Sequence, residues 1–144
     1  MTESLQLHLS AYQADILRQA AAAAYPHECC GLLVGEGESA IVITEIVPTT
    51  NTADDPRRGF SINPQAQFDL LRRVRAGRGR VVGHYHSHPD GRAIPSSHDL
   101  AMAYDPEAIW VVMAASAGTA SQPKAFRHTH DIDGFAEIPV AISP

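Results

Sequence analysis

The chain has 144 residues, of which 44% are hydrophobic and 19% are charged. This balance predicts one globular domain over residues 1–144, large enough for a core of its own. The formal net charge of −5 at pH 7 argues against a general nucleic-acid-binding surface, because phosphate binding needs clustered Lys and Arg. The two cysteines, Cys29 and Cys30, are adjacent, and neighbouring residues rarely satisfy disulfide geometry.

Neither export nor membrane insertion is expected. The N-terminal residues 1–4 include an acid where a signal peptide would be basic. The longest apolar run, 108–115, is far shorter than the roughly 20 residues that span a bilayer. We therefore expect a cytoplasmic protein in which 108–115 forms a buried strand.

The first predicted element is a helix over Ala11–Ala24, a segment rich in strong helix formers. Ser10 and Gln13 have the spacing of a weak capping box at its start, and Pro26 stops it. Antiparallel strands over 31–35 and 40–47 are predicted next.

Residues 48–59 are polar and rich in proline, which predicts a long loop. Loops of this length inside a compact domain are often functional, and we expect this loop to shape a substrate groove. Asn63 as a cap and Pro64 at the first helical position then predict a second helix, through Ala76. The residues expected on its inner face are Phe68, Leu71 and Val74.

A basic cluster runs from the end of this helix into the next strand. Its members are Arg72, Arg73, Arg75, Arg78 and Arg80. We interpret it as a solvated helix face that complements the helix dipole, with contact to nucleic acid as the alternative.

The remaining pattern alternates strands and helices. A strand follows Arg80, a short helix is predicted over 96–104, and a strand contains Trp110. The tail, 124–142, is predicted to form a hairpin of two strands.

Three histidines alternate along the strand that follows Arg80, so His84, His86 and His88 should point to one face. Positions two apart lie roughly 6.6 Å apart and can share a metal ion, whereas His84 and His88 at about 13 Å cannot. A third ligand must therefore come from elsewhere in the chain.

Asp99 offers that third ligand. Ser96 and Asp99 lie three apart behind a helix-start signal, so one helical face presents a hydroxyl and a carboxylate together. A His/His/Asp set leaves one position open, which is typical of a catalytic zinc, although iron, manganese and cobalt accept the same ligands. We expect His84 to pack beside the site rather than bind the metal.

A zinc hydrolase also needs a general base, and Glu28 is the best candidate. It precedes an apolar strand, where an uncompensated acid would be costly; the alternative is a surface glutamate at a strand edge. Ser96 is expected to stabilise the oxyanion. Its alternative role is a helix cap, and the two roles compete for one oxygen. Ser87 should face away and bond the backbone.

These residues resemble a known pattern. Glu28, the run His86-Ser87-His88 and, seven residues later, Ser96-Ser97-His98-Asp99 are similar to the signature of the JAMM (MPN+/JAB) zinc metalloproteases, Glu … His-Ser/Thr-His-x7-Ser-x-x-Asp. The resemblance implies that His86, His88 and Asp99 bind one zinc ion. It further implies that Glu28 activates water and that Ser96 supports the tetrahedral intermediate.

The resemblance also implies a fold and a substrate. The fold would be a three-layer α/β/α sandwich with a mixed sheet, similar to cytidine deaminases. The reaction would be hydrolysis of a peptide or isopeptide bond after the Gly-Gly tail of a ubiquitin-like protein. In short prokaryotic members of this type, the implied substrate is a ubiquitin-like sulfur carrier.

Two other functions remain open at this point. One is a non-catalytic module that binds such tails, and the other is a RadC-like, DNA-associated JAB domain. A zinc deaminase is excluded, because the chain lacks the His-x-Glu … Pro-Cys-x-x-Cys pattern.

Overall fold

The computed structural model describes residues 4–96, 99, 105, 107–129 and 134–144. The described helices are α1 (Ala11–Ala24) and α2 (Pro64–Arg75). The described strands are β1 (Gln6–Ser10), β2 (Cys30–Glu36), β3 (Ala40–Thr49), β4 (Arg80–His88), β5 (Ile109–Ser116), β6 (Thr119–Ala120), β7 (Lys124–Thr129), β8 (Gly134–Ile138) and β9 (Val140–Ser143).

These strands form one mixed sheet in the order β8-β7-β5-β4-β2-β3-β1-β9, and β6 pairs with β5 beside this path. The central strand β4 is antiparallel to β2 and parallel to β5. β2 is buried over six of its seven residues, which is typical of a strand covered on both faces.

The two helices cover opposite faces of the sheet. Leu33 packs in the cluster that contains Leu17 of α1, whereas its neighbours Leu32 and Val34 pack with Leu70 of α2. Since successive strand side chains point to opposite faces, the sheet lies between the helices. This layering confirms the predicted α/β fold with a mixed sheet.

Both helix starts have the predicted caps. The Ser10 hydroxyl accepts from the backbone N–H of Gln13 at 3.0 Å, and the Gln13 side chain accepts from the N–H of Ser10 at 3.0 Å. The Asn63 side chain accepts from the N–H of Gln65 at 2.9 Å. The predicted start of each helix is confirmed.

The predicted inner face of α2 was wrong for two of its three residues. Phe68 is 62% exposed and Leu71 is 46% exposed, whereas Leu70 is 3% exposed. Leu70 and Val74 pack against Val34 and the cluster around it. The predicted face and the face that contains Leu70 both have helical spacing, so only the packing of α2 on the sheet decides which one is buried.

The tail also differs from the prediction. β7 and β8 form the expected antiparallel hairpin, but β9 is a separate strand that runs parallel to β1. Pro139 alone separates β8 from β9, and its carbonyl oxygen accepts from the N–H of Leu7 at 2.9 Å. Because β8 and β9 are the first and last strands in the sheet order, the sheet curls until these two edges meet at Pro139. β1 itself was not predicted.

The helix predicted over 96–104 lies almost wholly outside the described residues. Within the described part of the chain, no helix is both long and apolar enough to cross a membrane.

We predict that Leu70→Ala lowers the free energy of unfolding by about 2–5 kcal/mol, because it opens a cavity between α2 and the sheet. Leu71→Ala is the matched control and should cost less than about 1 kcal/mol, since its side chain is exposed. Urea denaturation measures both values. A larger loss for Leu71→Ala would contradict the observed orientation of α2.

Candidate metal centre

Strand β4 carries its histidines on one face, as predicted. The rings of His84 and His86 both meet Trp110 edge-on, with centroid separations of 4.4 and 5.9 Å. The Ser87 hydroxyl lies on the other side of the strand, where it accepts from the N–H of Cys29 at 2.9 Å. Ser87 therefore bonds the backbone, as expected.

Three side-chain atoms converge beside this strand. Nε2 of His86 and Nε2 of His88 lie 3.0 Å apart, and Oδ2 of Asp99 lies 3.0 Å from each of them. The three residues are buried. The structure therefore brings together the three residues that the sequence proposed as metal ligands.

Asp99 is held by a reciprocal pair of bonds with Ser96. The Ser96 N–H donates to Oδ2 of Asp99 at 2.8 Å, and the Asp99 N–H donates to the Ser96 hydroxyl oxygen at 3.0 Å. Ser96 therefore makes the side-chain bond that a capping residue makes. That bond uses a lone pair and leaves the hydroxyl hydrogen free to donate, so the two roles proposed for Ser96 do not exclude each other.

Glu28 lies beside the same histidines and is only 5% exposed. Its carboxylate and the ring nitrogens of His86 and His88 lie within 4.8 Å of one another. Oε1 of Glu28 has no hydrogen-bond partner among the described residues. The alternative interpretation of Glu28 as a surface residue is therefore wrong.

Burial raises the pKa of Glu28 to about 8; nearby His88 opposes this shift, and Asp99 and Asp90 add to it. His88 compensates the cost of burying this carboxyl group only in part, and a cation beside Glu28 would favour its ionised form.

The pKa values of His86, His88 and Asp99 shift in different directions. Burial lowers the pKa of His86. Burial is also the largest single influence on His88 and lowers its pKa, but the hydrogen bond and charge of Asp99, the charge of Glu28 and the bond to the Arg92 carbonyl together raise it. Burial of Asp99 opposes ionisation, yet the hydrogen bonds with both histidines hold the pKa of its carboxyl well below the usual range. The group thus contains an ionised carboxylate.

The tautomer of His88 suits metal binding. Its Nδ1 donates to the carbonyl oxygen of Arg92 at 3.1 Å, so Nε2 can present a lone pair. Ligands of a tetrahedral zinc at 2.0–2.1 Å lie about 3.3 Å from one another, close to the 3.0 Å separations of His86, His88 and Asp99. Together with Glu28, these residues fit a divalent metal ion.

Comparison with known families identifies the family of this chain. Residues 10–129 match the family described as prokaryotic homologs of the JAB domain. The chain belongs to the prokaryotic JAB family. This result confirms the family that the Glu28, His86, His88 and Asp99 pattern resembled.

Named relatives of this JAB-family chain include two enzymes. It is 30% identical to the desampylase of Haloferax volcanii over 125 residues, which are 87% of this chain and 85% of that protein. It is 30% identical to the probable TtuB-protein conjugate cleaving protease of Thermus thermophilus over 107 residues, which are 74% of this chain and 63% of that protein. Family and relatives together identify the chain as a hydrolase.

A solved structure confirms the fold of this JAB domain. The solution structure of a protein from Desulfitobacterium hafniense superposes with a TM-score of 0.80 at 25% identity. The match covers 95% of this chain and 92% of that one.

An aromatic group beside the JAB site was not predicted. Phe60 stacks on His86 with ring centroids 4.4 Å apart and planes at 23°, and His84 and Trp110 lie against the same cluster. Burial lowers the pKa of His84 to about 3, so this ring packs as a neutral group, as expected. No local pattern marks Phe60, which lies 26 positions before its partner.

The cysteine beside Glu28 is not a reactive thiol. Burial raises the pKa of Cys29 to about 11, so it remains protonated at neutral pH. A nucleophilic cysteine needs a pKa below its ordinary value.

We predict that Asp99→Asn lowers the affinity for zinc by more than about 100-fold, because loss of an outer-shell partner alone costs about 10–100-fold. Zinc at 100 times the dissociation constant should stabilise the wild type by about 2.7 kcal/mol. Metal content after dialysis and urea denaturation with and without zinc measure these effects. Asp69→Asn, on the exposed face of α2, is the matched control. Equal zinc binding by both variants would contradict the proposed ligand set.

Proposed function

We propose that this JAB-family protein is a zinc-dependent metallopeptidase or isopeptidase that hydrolyses the bond after the Gly-Gly tail of a ubiquitin-like carrier protein. The observation that carries the chemistry is the buried Glu28 carboxylate, which lies within 4.8 Å of the ring nitrogens of His86 and His88. The two named relatives support the substrate class, since their names refer to removal of a protein modifier and to cleavage of a protein conjugate.

In this proposal His86, His88 and Asp99 hold the zinc ion. When bound, zinc supplies a Lewis acid that polarises the scissile carbonyl and lowers the pKa of water to about 7. The bond between Nδ1 of His88 and the Arg92 carbonyl keeps that ring in the required tautomer. The bonds from Ser96 keep the Asp99 carboxylate turned towards the histidines.

Glu28 is the general base. Its carboxylate accepts a proton from the attacking water and passes that proton to the nitrogen of the departing amine. Without the metal, burial raises the pKa of Glu28 to about 8. A bound cation would lower this pKa towards neutral pH, where a group can accept and return a proton at similar cost. Oε1 of Glu28 has no hydrogen-bond partner within the described part of the chain, so no such bond competes with the attacking water for this oxygen.

Ser96 stabilises the oxyanion that forms on the attacked carbonyl. Its hydroxyl oxygen is fixed by the N–H of Asp99, which orients the remaining O–H as a donor. A preorganised donor of this kind costs no reorganisation during the reaction.

The substrate class is tested with ubiquitin-like carriers that are extended past Gly-Gly by a short peptide. Incubation with the zinc-loaded protein should release the extension, and mass spectrometry should place the cut after the second glycine. Binding of the carrier tail without cleavage would instead favour a non-catalytic module.

We predict that Glu28→Gln keeps the metal and lowers kcat for the cleaved fusion by about 10²–10⁴-fold, the usual contribution of a positioned base. Steady-state kinetics and metal analysis of the same samples measure this. Glu36→Gln, at the exposed end of β2, is the matched control and should match the wild type. Unchanged cleavage by Glu28→Gln would refute the assigned base.

A second prediction separates the two roles of Ser96. Ser96→Ala should lower kcat by about 10²–10³-fold through loss of the oxyanion donor, and lower the free energy of unfolding by about 0.5–2 kcal/mol through loss of the cap. Ser96→Thr keeps both the lone pair and the donor and should restore both quantities. If Ser96→Ala lost stability while kcat stayed at the wild-type value, Ser96 would be a cap alone.

A further inference from the structure

The carboxamide of Asn51 joins four separate backbone groups. Its Nδ2 donates to the carbonyl oxygens of Glu28 and Gly59, both at 3.0 Å. Its Oδ1 accepts from the N–H groups of Ala53 at 3.0 Å and Ser61 at 3.1 Å. An asparagine side chain has two donor hydrogens and one acceptor oxygen with two lone pairs, so Asn51 uses its full bonding capacity.

One of these bonds reaches the proposed base. Glu28 precedes β2 and therefore lies outside the hydrogen-bonded ladder of that strand. Its carbonyl oxygen is bound by Asn51, and its N–H donates to the carbonyl oxygen of Pro56 at 2.7 Å. The loop after β3 thus holds both backbone polar groups of Glu28.

Two other bonds of Asn51 hold the residues on either side of Phe60. The carbonyl of Gly59 and the N–H of Ser61 flank Phe60 in sequence, and both bind Asn51. Phe60 in turn stacks on His86. Asn51 is therefore connected to the proposed base directly and to a proposed metal ligand through one aromatic ring.

The Phe60 ring is one of the contacts that orient His86. Histidine ligands are usually oriented by a hydrogen bond at the second ring nitrogen, as Nδ1 of His88 is by Arg92. Nδ1 of His86 has no hydrogen-bond partner among the residues that the structure describes. Its Nε2 bonds Asp99, and packing against Phe60, Trp110 and His88 fixes the ring plane.

We propose that Asn51 is a positioning residue of the hydrolytic site, which sets the Glu28 carboxylate and the His86 ring relative to each other. The inference rests on the proposed function, because it concerns the base and ligand named there. Asparagine is required because two carbonyl oxygens face Nδ2 and two N–H groups face Oδ1. Aspartate has the same shape but places a second acceptor against the carbonyl oxygens of Glu28 and Gly59.

The kinetic test compares Asn51→Asp with Thr52→Val. The Thr52 hydroxyl and the Thr52 N–H both donate to the Ser61 carbonyl oxygen, so Thr52→Val alters the same loop without changing a bond to Glu28. With the cleaved carrier fusion as substrate, Asn51→Asp should lower kcat by about 10–100-fold, as small displacements of reacting groups do. KM should stay within about twofold, whereas Thr52→Val should match the wild type in both.

Two measurements on the metal-free protein test the placement without any substrate. Hydrogen–deuterium exchange should be faster at the Glu28 and Ser61 amides in Asn51→Asp and unchanged in Thr52→Val. Trp110 is the single tryptophan, it is buried, and its ring centroid lies 6.3 Å from that of Phe60. Displacement of Phe60 should therefore increase quenching of its fluorescence by acrylamide. Asn51→Ala removes the same bonds without adding a charge and serves if Asn51→Asp does not fold.

The outcomes separate the two proposals. Wild-type kcat in a destabilised Asn51 variant would overturn the positioning role, as would wild-type exchange and quenching. If the wild-type protein cleaves no carrier fusion, the proposed function fails. The exchange and quenching measurements then decide whether Asn51 holds Glu28 and Phe60.

Discussion

The contact of the Asp99 carboxylate with the two imidazoles of β4 is the interaction on which the site depends. A buried carboxylate is costly unless it is paired and hydrogen-bonded, and Asp99 meets both conditions through His86, His88 and the N–H of Ser96. The same group leaves a second carboxylate, Glu28, buried beside it without an equivalent partner. One ionised acid and one acid of raised pKa in a single buried site are typical of hydrolytic chemistry.

The loop between β3 and α2 connects this group to the rest of the molecule. It binds the backbone of Glu28 through Asn51 and Pro56, and it places Phe60 on His86. The expectation of a functional loop over 48–59 pointed to a substrate groove. The structure gives the loop another role, because it holds the backbone of Glu28 before β2 and packs Phe60 on His86 of β4.

Local signals in the sequence predicted local structure well. The caps at Ser10 and Asn63 each depend on residues two or three positions away, and both are present. The inner face of α2 and the strand β9 depend on distant partners, Val34 and β1. Two apolar stripes on α2 were compatible with helical spacing, so pattern alone selected the wrong one.

By itself, the sequence predicted which side chains meet beside β4, the family and the α/β class, because the spacing of His86, His88, Ser96 and Asp99 constrains which of their atoms can meet. It could not determine how Glu28 is held or how His86 is oriented. Those depend on Asn51 and Phe60, which lie 23 and 26 residues from their partners in the chain. Only the antiparallel pairing of β2 with β3 and β4, together with the return of the loop over the sheet, brings these residues together.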